Sequence, residues 1–157
     1  MSELAILLDD LDRRILNALQ ADASQTNNQL AAHVHASAPT CLRRVKRMWD
    51  AGVIHRQVAI VAPHMVDAAL TAIVEVTLDH QGAERQVEFE SAVAHETAVL
   101  QCYRVSPGPD FVLVVQVADM PAYHALAHRL FAGQVNVRNV RSFFSIHRSK
   151  FETSIAV

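Results

Sequence analysis

Residues 37–49 read SAPTCLRRVKRMW, and wound as a helix at about 100° per residue they divide into two faces. Cys41, Leu42, Val45, Met48 and Trp49 fall in one arc, and Arg43, Arg44, Lys46 and Arg47 fall in the other. No acidic residue interrupts the basic arc before Asp50. Ser37 and Pro39 stand at the start, where a side-chain cap and a residue without an N–H both suit a helix. The stretch is expected to be a short helix with an apolar back and a cationic front, suited to insertion into a DNA groove. Without context, the same pattern describes a solvated charged face. The flanking sequence decides between the two.

Upstream, Leu8, Leu11, Ile15 and Leu19 recur at three- and four-residue spacing, which predicts a first helix burying one stripe. Asp9, Asp10 and Asp12 lie in its first turn, where negative charge suits the helix dipole. Residues 22–26 form a polar break, after which Thr26 or Asn27 can cap a second, shorter helix carrying Leu30, Ala31 and Val34. His35, Ala36 and Ser37 then make a tight turn, with His35 in a left-handed conformation. Gly52 ends the third helix, and an extended segment runs from Val53 to Val61. Two short helices joined by a tight turn, the second one basic, make a helix-turn-helix.

Beyond Pro63 and His64 the period changes. Ala72, Val74, Val76 and Leu78 alternate and predict a strand over 71–78. A helix is expected over 83–97, with Phe89 and Val93 on one face. Two β-rich runs, 99–105 and 111–117, flank Ser106-Pro-Gly-Pro-Asp110 and form a hairpin. Asp119 can cap a helix carrying Tyr123, Leu126, Ala127 and Leu130 and ending at Gly133, and a last strand covers Val135–Ile146. The order β-α-β-β-α-β is ferredoxin-like. The fold class is α+β: a winged-helix-like helix-turn-helix domain over 1–61 that includes a linker strand, and a ferredoxin-like domain over 62–157.

The 157 residues, 51% of them hydrophobic, suffice for one ordinary or two small domains with a packed core. No apolar run reaches the length of a membrane span. The start, Met1-Ser2-Glu3, lacks the basic and apolar regions of a signal peptide, and a cytoplasmic location is expected. Cys41 and Cys102 form no CxxC pair and are read as small buried apolar residues. The net charge of −2 is uneven: residues 1–60 hold seven Lys and Arg against six Asp and Glu, and residues 61–157 hold seven against ten. Local potential, not net charge, governs phosphate contact.

Laid out in this way, the chain resembles the Lrp/AsnC family of prokaryotic transcription regulators. The resemblance rests on Leu11-Asp-Arg-Arg-Ile-Leu16, Leu30-Ala-x-x-Val34, Ser37-x-x-Thr40-x-x-x-Arg44-Val45-x-Arg47-Met48 and Gly52-Val-Ile54. It continues in Cys102-Tyr-Arg-Val105, Asp110-Phe111 and Lys150-x-x-Thr153-x-Ile155. It implies a DNA-binding domain followed by a ligand-sensing RAM domain. It also implies assembly into dimers and, commonly, an octamer built as a tetramer of dimers. An amino-acid effector would bind between RAM domains of adjacent dimers, in a cleft lined by the hairpin loop. Ser106, Pro107, Gly108 and Asp110 are the corresponding effector residues. The family loop reads close to Gly-Asp-x-Asp; here Pro107 stands at the first Gly and Gly108 at the first acid. A backbone N–H and a carboxylate suited to an ammonium group are thereby lost.

For the partner double-stranded DNA, the groove-facing front is assigned to Pro39, Thr40 and Arg43, with Arg44, Lys46 and Arg47 adding base-edge or phosphate contacts. Thr26, Asn27, Asn28 and Ser37 are expected to hold phosphates and so fix register. His33 and His35 lie close enough to add charge at mildly acid pH. His124 and His128 share a helix face, but no third metal ligand stands at a motif spacing, so neither metal nor cofactor is expected. No nucleophile elbow, P-loop or glycine-rich dinucleotide fingerprint is present. The enzyme alternative is a sirohaem-decarboxylase-like relative of the same superfamily; the short hairpin loop and the intact basic helix count against it. An effector-independent architectural regulator is the other alternative.

Overall fold

A computed structural model describes residues 6–132 and 136–157. The chain divides into two compact units, the described residues up to Ala59 together with Lys150–Val157, and Ile60–Ser149. The last eight residues thus pack with the first unit, which a simple division of the sequence near residue 61 does not capture.

The first unit holds helices α1 (Asp10–Ala21), α2 (Asn27–His33) and α3 (Ala38–Asp50). Each begins on a side-chain cap. Asp9 and Asp12 form a reciprocal capping box on α1, Thr26 and Gln29 form another on α2, and Ser37 accepts from the Thr40 N–H on α3. Such caps satisfy N–H groups that the helix itself leaves unpaired. The α3 helix ends in a Schellman arrangement: Gly52 takes φ +71°, its N–H donates to the Trp49 carbonyl, and the Val53 N–H donates to the Met48 carbonyl. The core gathers Ile15, Leu16 and Ala18 of α1, Leu30 and Ala31 of α2, Val34, and Cys41 and Met48 of α3. Leu42 and Trp49, expected on the buried face of α3, are exposed. The helix packs along the narrower Cys41–Val45–Met48 stripe, and its neighbours are too short to cover a wider one. Residues 55–62 pair with no strand among the described residues. At the chain's end, the Gln20 side-chain amide exchanges two hydrogen bonds with the Ile155 backbone, 3.0 and 2.8 Å, and Val157 packs on this core.

The second unit carries β1 (Leu70–Leu78), α4 (Ala83–Ala94), β2 (Val99–Arg104), β3 (Phe111–Val117), α5 (Met120–Ala127) and β4 (Val137–Phe144). All three strand pairings are antiparallel and the order is β2-β3-β1-β4, the ferredoxin-like arrangement expected. Alternation puts Ala72, Val74, Val76 and Leu78 of β1, and Phe111, Leu113, Val115 and Val117 of β3, on one face. Phe89 and Val93 of α4 and Tyr123 and Leu126 of α5 cover them. Phe143 and Phe144 point to opposite faces, Phe143 beside Ile73 on the open side and Phe144 edge-on to Tyr123 under α5. A π-helical turn over His128–Ala132 follows α5; the expected stop at Gly133 and the strand start at Val135 lie outside the described residues. Cys102, expected to be buried, is exposed because β2 is an edge strand.

Candidate nucleic-acid interface

The α2–turn–α3 element is held by bonds that sequence alone only partly announces. Asn27 Nδ2 donates to the Ala38 carbonyl at 2.8 Å and so ties the start of α2 to the first turn of α3. The Ala36 N–H returns to the Ala31 carbonyl, and His35 sits at φ +52°, the left-handed conformation the turn demands. Ser37 Oγ meets Thr40 Oγ1 at 2.8 Å, so both hydroxyls are gathered at the N-terminal end of α3. Thr26, Asn28, Ser37 and Pro39 are exposed around it, while Asn27 and Thr40 are half-buried.

The four bases of α3 fall into two pairs. Arg43 and Lys46 are exposed; Lys46 reaches Asp50 at 3.1 Å, one turn on, and Arg43 has no ion pair among the described residues. Arg44 turns inward instead. Its Nη1 donates to Asp9 Oδ2 and, at 3.1 Å, to Asp12 Oδ1. Arg47 Nη2 donates to Asp12 Oδ2. Asp12 is fully buried and accepts from both guanidinium groups and from the Asp9 N–H, so its carboxylate is saturated. Expected as base-edge or phosphate contacts, Arg44 and Arg47 are placed as ligands of α1. The physical reason is that a buried carboxylate requires charged partners. The Asp12 N–H and the Arg44 guanidinium hold the Asp9 carboxyl down at about 2, and both carboxylates raise Arg44. Asp12 was legible as a first-turn acid; that it faces α3 follows only from the packing. An open groove beside α3 is lined by Arg43, Lys46, Arg47, Asp50 and Ala51.

In the second unit, Ser106, Pro107 and Gly108 are exposed at the tip of the β2–β3 hairpin. Asp110 is not open to a ligand in the same way. Its carboxylate accepts from the Leu78 N–H at 2.7 Å and from Gln81 Nε2 at 3.3 Å, its own N–H donates to the Val76 carbonyl, and its carbonyl accepts from Val105. The side chain anchors the loop to the end of β1, and the residue is 8% exposed. Gln81, its second donor, carries no signal in the sequence. Among the described residues no cluster of three metal-ligating side chains exists, His124 and His128 included. Burial pushes the Cys41 thiol up; partial burial, then the nearby Glu90 carboxylate, do the same at Cys102.

Residues 8–55 match the winged helix-turn-helix DNA-binding family, and residues 71–155 match the Lrp/AsnC ligand binding domain. The chain belongs to the Lrp/AsnC family. An HTH-type transcriptional regulator of Haemophilus influenzae is 38% identical, over 94% of this chain and 88% of its own. The leucine-responsive regulatory protein of Klebsiella pneumoniae is 33% identical, over 96% and 92%. A Neisseria meningitidis transcriptional regulator, solved as an L-Met complex, superposes with a TM-score of 0.89 at 28% identity, over 95% and 96%. As an Lrp/AsnC protein the chain is a DNA-binding transcriptional regulator, with a winged helix-turn-helix followed by an α+β ligand-binding domain. No helix among the described residues is long and apolar enough to cross a membrane.

Proposed function

We propose that this regulator reads its operator with Pro39, Thr40 and Arg43 at the front of α3, while Lys46, Thr26, Asn28 and Ser37 meet phosphates. Arg43 carries the proposal: it is exposed and has no ion pair on a helix whose other arginines are tied to α1. A guanidinium free to present its fork suits guanine O6 and N7. Two such helices, related by a dimer two-fold, would take successive major-groove faces of a pseudo-palindromic site. The open sheet face, with Ile73 and Phe143 exposed on it, suits that dimer contact. Higher assembly would be an octamer of four dimers. The site of action is the cytoplasmic nucleoid, and no catalytic step is assigned. Arg43→Ala should cost about 5- to 100-fold in operator affinity, the loss of one bidentate base contact; unchanged retention in a gel shift would overturn the assignment.

Regulation follows from an amino acid bound beside Ser106, Pro107 and Gly108 at a contact between dimers. The Neisseria relative's L-Met complex supports that class of effector. The ligand would act by stabilising one arrangement of dimers over another. A second arrangement, an effector-independent regulator, is favoured by Asp110, whose carboxylate is already occupied by Leu78 and Gln81. Thermal-shift screening against the twenty amino acids separates them. A rise in melting temperature for one amino acid supports sensing; a flat screen with operator binding intact supports the effector-independent regulator.

A further inference from the structure

Asp12 and Asp9 do more than begin a helix. Resting on the assignment of α3 to DNA, we infer that these two carboxylates form a clamp that withholds Arg44 and Arg47 from phosphate. The clamp sharpens specificity by lowering the charge available for non-sequence-specific binding, and Asp12 is its positioning residue. The charges balance one for one, two guanidinium groups against two carboxylates, inside a basic arc that carries four positive charges. Asp12 is fully buried, and the Arg44 side chain is 22% exposed. Arg47 is the more open, at 43%. Non-specific affinity grows with each phosphate neutralised, whereas base contacts alone distinguish sites. Two arginines fixed to α1 therefore set the angle of α3 and leave Arg43 and Lys46 to face the duplex.

The test is the salt dependence of binding by full-length protein. It uses two probes: a duplex selected by the wild-type chain from a random library, and a random duplex of equal length. Each phosphate contact contributes about −0.9 to the slope of log K against log salt. Arg47→Gln keeps a donor for Asp12 but no charge, and its slope is expected to match wild type on both duplexes. Asp12→Asn releases both arginines. Its slope on the random duplex should steepen by about 1 to 2, and the ratio of specific to random affinity should fall at least about 10-fold. A slope shallower by about 0.9 in Arg47→Gln would overturn the clamp, since Arg47 would then be a phosphate contact. A folded Asp12→Asn with unchanged slope and ratio would overturn it too. Should Asp12→Asn fail to fold by circular dichroism, Arg47→Gln decides the matter alone. Arg43→Gln is the separate control for α3 itself: failure of the clamp with Arg43 still required leaves the assignment of α3 standing, whereas indifference to Arg43→Gln removes it.

Discussion

Asp110→Ala separates a loop anchor from a ligand group. In the wild-type chain the Asp110 carboxylate lies 2.7 Å from the Leu78 N–H, at a residue only 2% exposed, with Gln81 as a weaker second donor at 3.3 Å. A hydrogen bond to a charged acceptor contributes about 1.5–3 kcal/mol, and a buried N–H left without a partner loses an amount of the same order. Gln81 lies nearer solvent and regains water, so its bond adds little. The expected loss is about 2–3 kcal/mol for Asp110→Ala, and about 1 kcal/mol for Asp110→Asn, which keeps one acceptor oxygen. With a urea dependence of about 2 kcal/mol per molar, Asp110→Ala should move the unfolding midpoint down by about 1–1.5 M, at a fixed protein concentration because the chain is expected to self-associate. A midpoint within about 0.3 M of wild type, accompanied by loss of amino-acid binding, would refute the reasoning and return Asp110 to the effector site.

The Asp9 carboxyl, held down at about 2 in the folded chain against an ordinary 3.8, contributes stability that is present above about pH 4 and is lost as pH falls toward 2. Acid unfolding of Asp9→Asn should therefore start from a lower stability at neutral pH and fall less steeply across that window; parallel curves would contradict the assignment. At His35, φ +52° is costly for a β-branched side chain, so His35→Val should lose at least about 1 kcal/mol in chemical denaturation while His35→Gly stays near wild type. Cys102 is exposed and Cys41 buried, both with raised thiols. In the native protein a disulfide reagent should titrate one thiol per chain, faster as pH rises through 8 and 9, and two only after unfolding; two fast thiols would mean that Cys41 is not in the core.

The periodicities carried most of the fold. Caps at Thr26 and Ser37, the left-handed turn at His35, the stop at Gly52 and the alternation of β1 and β3 were all legible because each is a local property of the chain. What escaped depends on which surfaces meet. Leu42 and Trp49 lie in the apolar arc of α3, yet α1 and α2 are too short to cover them. Asp12 looked like a dipole partner for α1, and nothing local shows that its side chain faces Arg44 and Arg47, more than thirty residues away. Asp110 looked like a ligand group because its loop departs from the family pattern at Pro107 and Gly108. Its role as an anchor depends on Leu78, which is remote in sequence and adjacent only through the β1–β3 pairing. The edge position that exposes Cys102 is likewise a consequence of strand order.

The central claim is that α3 reads DNA through Arg43. Fluorescence anisotropy of a selected operator duplex, titrated with wild type and with Arg43→Ala at one fixed salt concentration, tests it most directly. The account predicts a loss of about 5- to 100-fold on the operator and a much smaller change on a random duplex. Equal affinity of the two proteins for the operator would contradict it.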